Sequence, residues 1–222
     1  MNLKELFDLK GKNALITGGS QGIGKSMALG LAEFGANIII HYNSNHEKAA
    51  RTLEELNEHD VETGSIAMDL AQKDSASSIF EYCHSTLGAV DILVLNASHQ
   101  SINNWEQIGF DECHNHFNIN VLSSLFLIQQ FVPMMRKKNW GRIITLGSVQ
   151  QRNPNPLHMI YASTKSALMN IVTNLAPELA KHNITINNIA PGAFDTVRNE
   201  NALPDEKYYQ KIINKRSRKL CV

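Results

Sequence analysis

A phenol and an ammonium stand four residues apart in Tyr161-Ala162-Ser163-Thr164-Lys165, and the hydroxyl of Ser148 lies shortly upstream. Residues at i and i+4 project from one face of a helix, one above the other. Ala162, Lys165, Ala167, Leu168 and Met169 favour a helix here, and no Gly or Pro follows before Pro177. Positive charge near a phenol favours the phenolate. A phenol with a mobile proton suits general acid or base work on a carbonyl/alcohol pair. The same residues also fit a solvated Lys165, a Tyr161 at the edge of a core and a Ser148 that caps a turn. What decides between these readings is the rest of the chain.

Short apolar runs alternate with amphipathic stretches. Strands are expected at Lys12–Thr17, Asn37–Tyr42, Val61–Met68, Asp91–Leu95, Arg142–Leu146 and Ile184–Ile189. Helices are expected at Gly22–Phe34, Glu47–His59, Asp74–Leu87, Gly109–Lys138 and Met159–Lys181, the fourth interrupted near Asn118–Asn120. Runs such as Ile38-Ile39-Ile40 are apolar on both sides of the strand. That pattern predicts the α/β class: a Rossmann-type, doubly wound parallel sheet in three layers, with helices on both faces. No repeat or linker is visible, so the 222 residues are expected to form one domain, with an atypical tail from about residue 204.

The first strand-to-helix junction reads Thr17-Gly18-Gly19-Ser20-Gln21-Gly22-Ile23-Gly24. Glycines there permit a tight turn and close approach to a pyrophosphate, whose charge sits at the helix N-terminus. A glycine-rich turn without a ligand is the bland alternative. The end of the second strand, His41-Tyr42-Asn43-Ser44-Asn45, carries no acid to bond an adenosine ribose 2′-hydroxyl. Asn43, Ser44 and Asn45 can donate to a 2′-phosphate, with Lys25 and His41 as the nearby cations, so NADP is favoured over NAD. The same residues also suit a turn and a helix cap.

With the spacing Gly-x-x-x-Gly-x-Gly, Ser148, Tyr161 and Lys165, the chain resembles the short-chain dehydrogenase/reductase family from about Leu9 to Thr196. Gly141–Val149 and Asp91–Val94 look like its 3-oxoacyl-carrier-protein reductases and its sugar and gluconate dehydrogenases. The resemblance implies cofactor contacts from Thr17, Gly18, Ser20, Gln21, Gly22, Ile23, Gly24, Asn43, Asp69, Leu70, Asn96 and Ala97, and from Pro191, Gly192, Phe194 and Thr196 over the nicotinamide. It implies Tyr161 as the acid/base, Ser148 as the group that places the substrate oxygen, and Lys165 near the phenol and the nicotinamide ribose. Asn120 is implied to hold a water that links Lys165 to solvent. The activity implied is hydride transfer between NAD(P)(H) and a small carbonyl or alcohol, such as a 3-oxoacyl thioester or a sugar acid. Leu95 and Ser98 depart from the family's usual Asn and Gly.

The resemblance also implies a homo-oligomer, dimer or tetramer, through the long helices; Leu122, Leu125, Phe126 and Ile128 suit that use or an internal core. Past Pro191-Gly192, Tyr208–Ile213 begins a plausible lid helix, but the ending Lys215–Val222 has no strand pattern, so the family's last strand is expected to be missing. A cofactor-binding protein with little catalysis is therefore the alternative reading. Composition excludes other classes. Basic and acidic residues balance at 21 each, against a nucleic-acid binder. Cys83, Cys113 and Cys221 are odd in number and unpatterned, which fits a reducing, cytoplasmic setting, and the N-terminus lacks a signal-peptide pattern. Cys113-His114-Asn115-His116 lacks paired metal-ligand spacing and reads as a polar helix face, so no metal is expected.

Overall fold

The computed structural model describes residues 6–153, 155–192 and 194. Two units are distinguished, residues 1–191 and residues 192–222; of the second, only Gly192 and Phe194 are described. The predicted lid helix and the expectation that the last strand is lost both concern residues outside the described ones, as does Thr196.

The first unit runs β1 (Asn13–Thr17), α1 (Gly22–Glu33), β2 (Asn37–Tyr42), α2 (His46–Leu56), β3 (Thr63–Ala67), α3 (Ser75–Leu87) and β4 (Ile92–Leu95). It continues with α4 (Phe110–Phe117), α5 (Ser123–Lys138), β5 (Gly141–Leu146), α6 (Met159–Ala180) and β6 (Ile184–Ile189). The six strands form one parallel sheet in the order β3-β2-β1-β4-β5-β6. This is the Rossmann-type architecture expected from the alternating pattern.

Each central strand is apolar throughout because both of its faces are covered. Leu15, Ile39, Leu93 and Ile143 point to one face, where Ile79 and Cys83 of α3, Phe131 and Met135 of α5 and Val172 of α6 pack on them. Ala14, Ile16, Ile38, Ile40 and Val94 point to the other, under Ala28 and Ala32 of α1 and Leu56 of α2. The two-residue period of the strands thus feeds two cores at once.

Local chemistry sets the element ends. Asn45 caps α2 by accepting from the Lys48 backbone N–H at 2.9 Å. Gly35, at φ +91°, turns the chain out of α1. The expected break in the long helix is a π-turn, Asn118–Leu122, between α4 and α5. By length and composition alone Phe110–Lys138 is apolar enough to cross a membrane. Its side chains Leu127, Ile128, Phe131, Val132 and Met135 are buried in the sheet-facing core instead. Of the run noted above, Ile128 is core, whereas Leu122 and Phe126 face outward.

Candidate active site

β1 pairs with β2 on one side and β4 on the other, so the direction of winding reverses there. Loops leaving the carboxyl ends of two such strands part and leave a crevice. Thr17 closes its base: its hydroxyl donates to the Val94 carbonyl (3.3 Å) and accepts from the Asn96 and Ala97 N–H groups (3.0 and 3.1 Å). The Asn96 amide donates to the Thr17 and Gly18 carbonyls, both at 3.0 Å. Gly18 (φ +65°) and Gly22 (φ +56°) take the left-handed turn that leads into α1. A Cβ at Gly24 would stand 2.2 Å from the Gly18 carbonyl oxygen, so only glycine lets the helix approach this closely. The N-cap of α1, Gln21, makes no side-chain cap bond. The first N–H groups of a 12-residue helix therefore face this loop without a side-chain acceptor, a geometry suited to a phosphate. Thr17, Gly18, Ser20, Gln21, Gly22, Ile23 and Gly24 lie together here.

At the adenosine end the structure corrects one expectation and adds a residue. His41 is not an available cation. It is 2% exposed, its Nδ1 accepts from the Gly18 N–H at 3.3 Å, and its Nε2 donates to the Met68 carbonyl at 2.8 Å. The first bond needs a bare Nδ1 and therefore the neutral ring. Burial lowers its pKa from the ordinary 6.5, opposed by the Met68 carbonyl and the Asp69 charge. Lys25 is engaged too, 2.6 Å from Glu55. The cation at this end is Lys48, whose Nζ donates to Gln21 Oε1 at 2.6 Å. It bridges the start of α2 to the glycine loop. Asn43 is exposed beside it in sequence, Asp69 Oδ1 accepts from the Ala71 N–H at 2.9 Å, and Leu70 is buried.

The sign of the His41 effect follows directly. Its folded pKa lies below the unfolded value, so its contribution is fully present above pH 6.5 and is lost as pH falls from there toward the folded pKa. Wild-type stability is expected to fall by up to about 1.4 kcal/mol per pH unit in that window relative to His41→Gln. Thermal melts of both proteins from neutral to acidic pH test this; parallel curves would refute it.

Ser148, Tyr161 and Lys165 converge where β5 ends. Ser148 follows β5 by two residues, and Tyr161 and Lys165 lie on the first turns of α6. All three are buried, Lys165 at 2% exposure. Lys165 Nζ donates to the carbonyl of Leu146, the last residue of β5, at 2.7 Å and stands 5.5 Å from the Tyr161 ring centroid. Ser148 does cap a turn: its Oγ accepts from the Gln150 N–H at 3.2 Å. That bond uses a lone pair and leaves the hydroxyl hydrogen out, so capping does not conflict with donation to a substrate.

Gln151 completes a capping box, its Oε1 accepting from the Ser148 N–H at 3.3 Å. The spacing Ser-x-x-Gln carries that signal in the sequence, although the segment reads there only as a polar loop. Val149 N–H donates to the Pro191 carbonyl at 3.1 Å, which brings the strand-six exit alongside.

Asn120 sits in the π-turn, which points its amide inward. Oδ1 accepts from the His99 N–H (2.7 Å); Nδ2 donates to the His99 carbonyl (2.9 Å) and Thr164 Oγ1 (3.0 Å). It thereby ties the strand-four exit to the helix turn that carries Lys165. Beside it, on the polar helix face expected there, His116 is fully buried, with its ring 4.5 Å from that of His99. Ser101 and Asn103 donate to Glu112, and the Ser101 bond is the main reason its carboxyl lies below the usual range. This cluster shapes the loop that follows β4. No group of three metal-ligating side chains occurs among the described residues.

The fold and this crevice define a dinucleotide-binding α/β protein. The chain belongs to the short-chain dehydrogenase family, whose model matches residues 12–207, and so to a family of oxidoreductases. It is 34% identical over 203 residues to L-rhamnose 1-dehydrogenase (NADP(+)) of Thermoplasma acidophilum, covering 91% of this chain and 80% of that enzyme. Its structure is similar to a 3-oxoacyl (acyl-carrier-protein) reductase from Agrobacterium tumefaciens C58 with NADP bound (TM-score 0.88, 30% identity, covering 95% and 81%). It is equally similar to a 7α-hydroxysteroid dehydrogenase complexed with NADH and 7-oxo glycochenodeoxycholic acid (TM-score 0.90, 30% identity, covering 96% and 83%).

Proposed function

We propose that the chain is an NADP-preferring oxidoreductase of a small carbonyl or alcohol, with Tyr161 as its general acid and base. The observation that carries this is the buried Lys165, anchored to the end of β5 and held beside the Tyr161 ring. An ammonium in that position favours phenolate over phenol, which makes the proton exchangeable with a substrate oxygen. A bound nicotinamide supplies or accepts the hydride. Tyr161 Oη gives its proton to the developing alkoxide in reduction and takes it back in oxidation. Ser148 Oγ donates to the same oxygen and orients it. Asn120, through Thr164, keeps the Lys165 turn in register, and a water bound there would pass the proton to solvent. Gly18–Gly24 and the α1 N-terminus would hold the pyrophosphate of that cofactor. Asp69, Leu70, Asn96 and Ala97 would flank its adenine and ribose, and Pro191 its nicotinamide.

Lys48 beside Gln21 supports the phosphorylated cofactor, because a 2′-phosphate gains a charge-assisted partner there. Lys48→Glu is expected to weaken NADPH binding by roughly 10- to 100-fold and to leave NADH binding within about threefold. Titration by nicotinamide fluorescence measures both, and equal losses would refute the role. The function itself is tested by NADPH binding followed by NADPH-dependent ketone reduction. Binding without turnover on any ketone or secondary alcohol would overturn it. Outward-facing Phe110 (75% exposed), Leu122 and Phe126 suit a dimer or tetramer packed through α4 and α5.

A further inference from the structure

We propose that Gln151 and Asn188 are positioning residues for Ser148: their side-chain amides hold the backbone of that serine, and with it the hydroxyl that places the substrate oxygen. The inference rests on Ser148 having that role in the proposed reaction. The observation that carries it is at Gly147, a buried glycine. Gly147 is not at positive φ, so no left-handed turn requires a glycine there. A Cβ at that residue would instead stand 2.5 Å from both Gln151 Oε1 and Asn188 Oδ1. The two amides occupy the space that a side chain would take, against the peptide that joins Gly147 to Ser148.

The hydrogen bonds run one way from that peptide. Ser148 N–H donates to Gln151 Oε1 at 3.3 Å, and Gln151 Nε2 to Asn188 Oδ1 at 3.4 Å. Asn188 Nδ2 donates to Thr145 Oγ1 at 2.8 Å, and Thr145 Oγ1 to the Asn187 carbonyl at 3.4 Å. A backbone N–H only donates and a carbonyl only accepts, so the two ends fix the orientation of both amides between them. Thr145 and Asn188 are register partners in β5 and β6, which ties this relay to the sheet. The groups on either side are held separately. Lys165 Nζ donates to the Leu146 carbonyl at 2.7 Å, and the Gly147 and Val149 N–H groups donate to the Ile189 and Pro191 carbonyls at 2.7 and 3.1 Å. Between them, the N–H of Ser148 is met by the Gln151 amide oxygen.

Close packing does not hold the pair in place. Gln151, Asn188 and Met169 border a cavity of about 390 Å³ beside Ser148. A side chain at a cavity wall has room to swing, so hydrogen bonds fix these amides; Gln151 Nε2 also lies 3.1 Å from Met169 Sδ, a weak acceptor. Three of the four links in the relay are longer than the usual range, so each contributes little to stability. A small displacement of a group that orients the reacting oxygen costs far more in rate. Loss of the pair therefore acts on the reaction and spares the fold.

The test measures kcat at saturating NADPH with ethyl acetoacetate and with 1,3,4-trihydroxybutan-2-one, together with NADPH affinity by nicotinamide fluorescence and melting temperature. Gln151→Met, Asn188→Ala and Gly147→Ala are each expected to lower kcat roughly 10-fold, the last because its methyl group pushes both amides toward the cavity. Melting temperature stays within about 3 °C and NADPH affinity within about twofold. Gln151→Glu, which keeps an acceptor for the Ser148 N–H, retains most of the rate. A double-mutant cycle gives the readout that a merely structural role would not: once Ser148→Ala has removed the hydroxyl, Gln151→Met changes kcat by less than about twofold. Wild-type rates in Gln151→Met and Gly147→Ala overturn the proposal, as does a further loss of roughly 10-fold in the Ser148→Ala background. In those cases Ser148→Ala is itself impaired and the proposed reaction stands. Ser148→Ala at the wild-type rate, or no turnover of either ketone with NADPH bound, overturns the reaction and this inference together.

Discussion

Tyr161→Phe is expected to lower kcat by about 1,000-fold while NADPH binding stays within about twofold, the range that removal of a positioned proton donor produces. The side chain is 7% exposed, and the substitution removes one oxygen without opening a cavity large enough to disturb α6. A fall in kcat without a change in cofactor affinity separates proton transfer from structure. Stopped-flow reduction of a ketone at saturating NADPH measures the first, and fluorescence titration the second. A variant that keeps more than a tenth of the activity would place the proton source elsewhere. Ser148 would then be the first alternative to examine, since its hydroxyl lies at the same strand end.

The second large effect is on the crevice itself. Gly24→Val places a side chain where the nearest atoms are the Gly18 carbonyl oxygen, 2.2 Å from the new Cβ, and Asn96 Nδ2 at 2.5 Å. The first is backbone and cannot swing aside, so α1 must move away from the glycine loop. A cost of about 2–4 kcal/mol follows, in the upper range for overpacking, which is roughly 5–10 °C in melting temperature for a chain of this length. The shift would also withdraw the helix N-terminus from the proposed pyrophosphate position, and NADPH affinity is expected to fall by more than about 100-fold.

Gly30 provides the control on the same helix. A Cβ added there meets nothing within 4 Å, so Gly30→Ala is expected to be neutral or to stabilise by up to about 1 kcal/mol. Calorimetry of the two variants decides the matter. Equal melting temperatures would show that the helix does not need its close approach.

Much of this molecule is legible in one dimension because the signals are local. A strand covered on both faces must be apolar at every position, so Ile38-Ile39-Ile40 announces a buried parallel strand. A chain that turns sharply into a helix needs glycine at positive φ, so Gly18 and Gly22 mark their own turn. Tyr161 and Lys165 share a helix face by spacing alone, and the polarity of Asn118–Asn120 marks the place where the π-turn interrupts the long helix.

Local pattern therefore carries the alternation of elements, the glycine turn and the pairing of phenol with ammonium. Tertiary structure alone decided which distant groups meet. Only the packing of β2 against β1 puts the His41 ring under the Gly18 N–H, which turns a supposed cation into a neutral strut. Only the approach of α2 to the first loop brings Lys48 within 2.6 Å of Gln21. Register between β5 and α6 sets Lys165 on the Leu146 carbonyl, and the pairing of β5 with β6 sets Asn188 on Thr145. The physical reason is one of range. Turns and helix faces are set by interactions within a few residues. Hydrogen bonds and charge between elements depend on ångström-scale distances that no local pattern encodes, because packing of the whole sheet sets them.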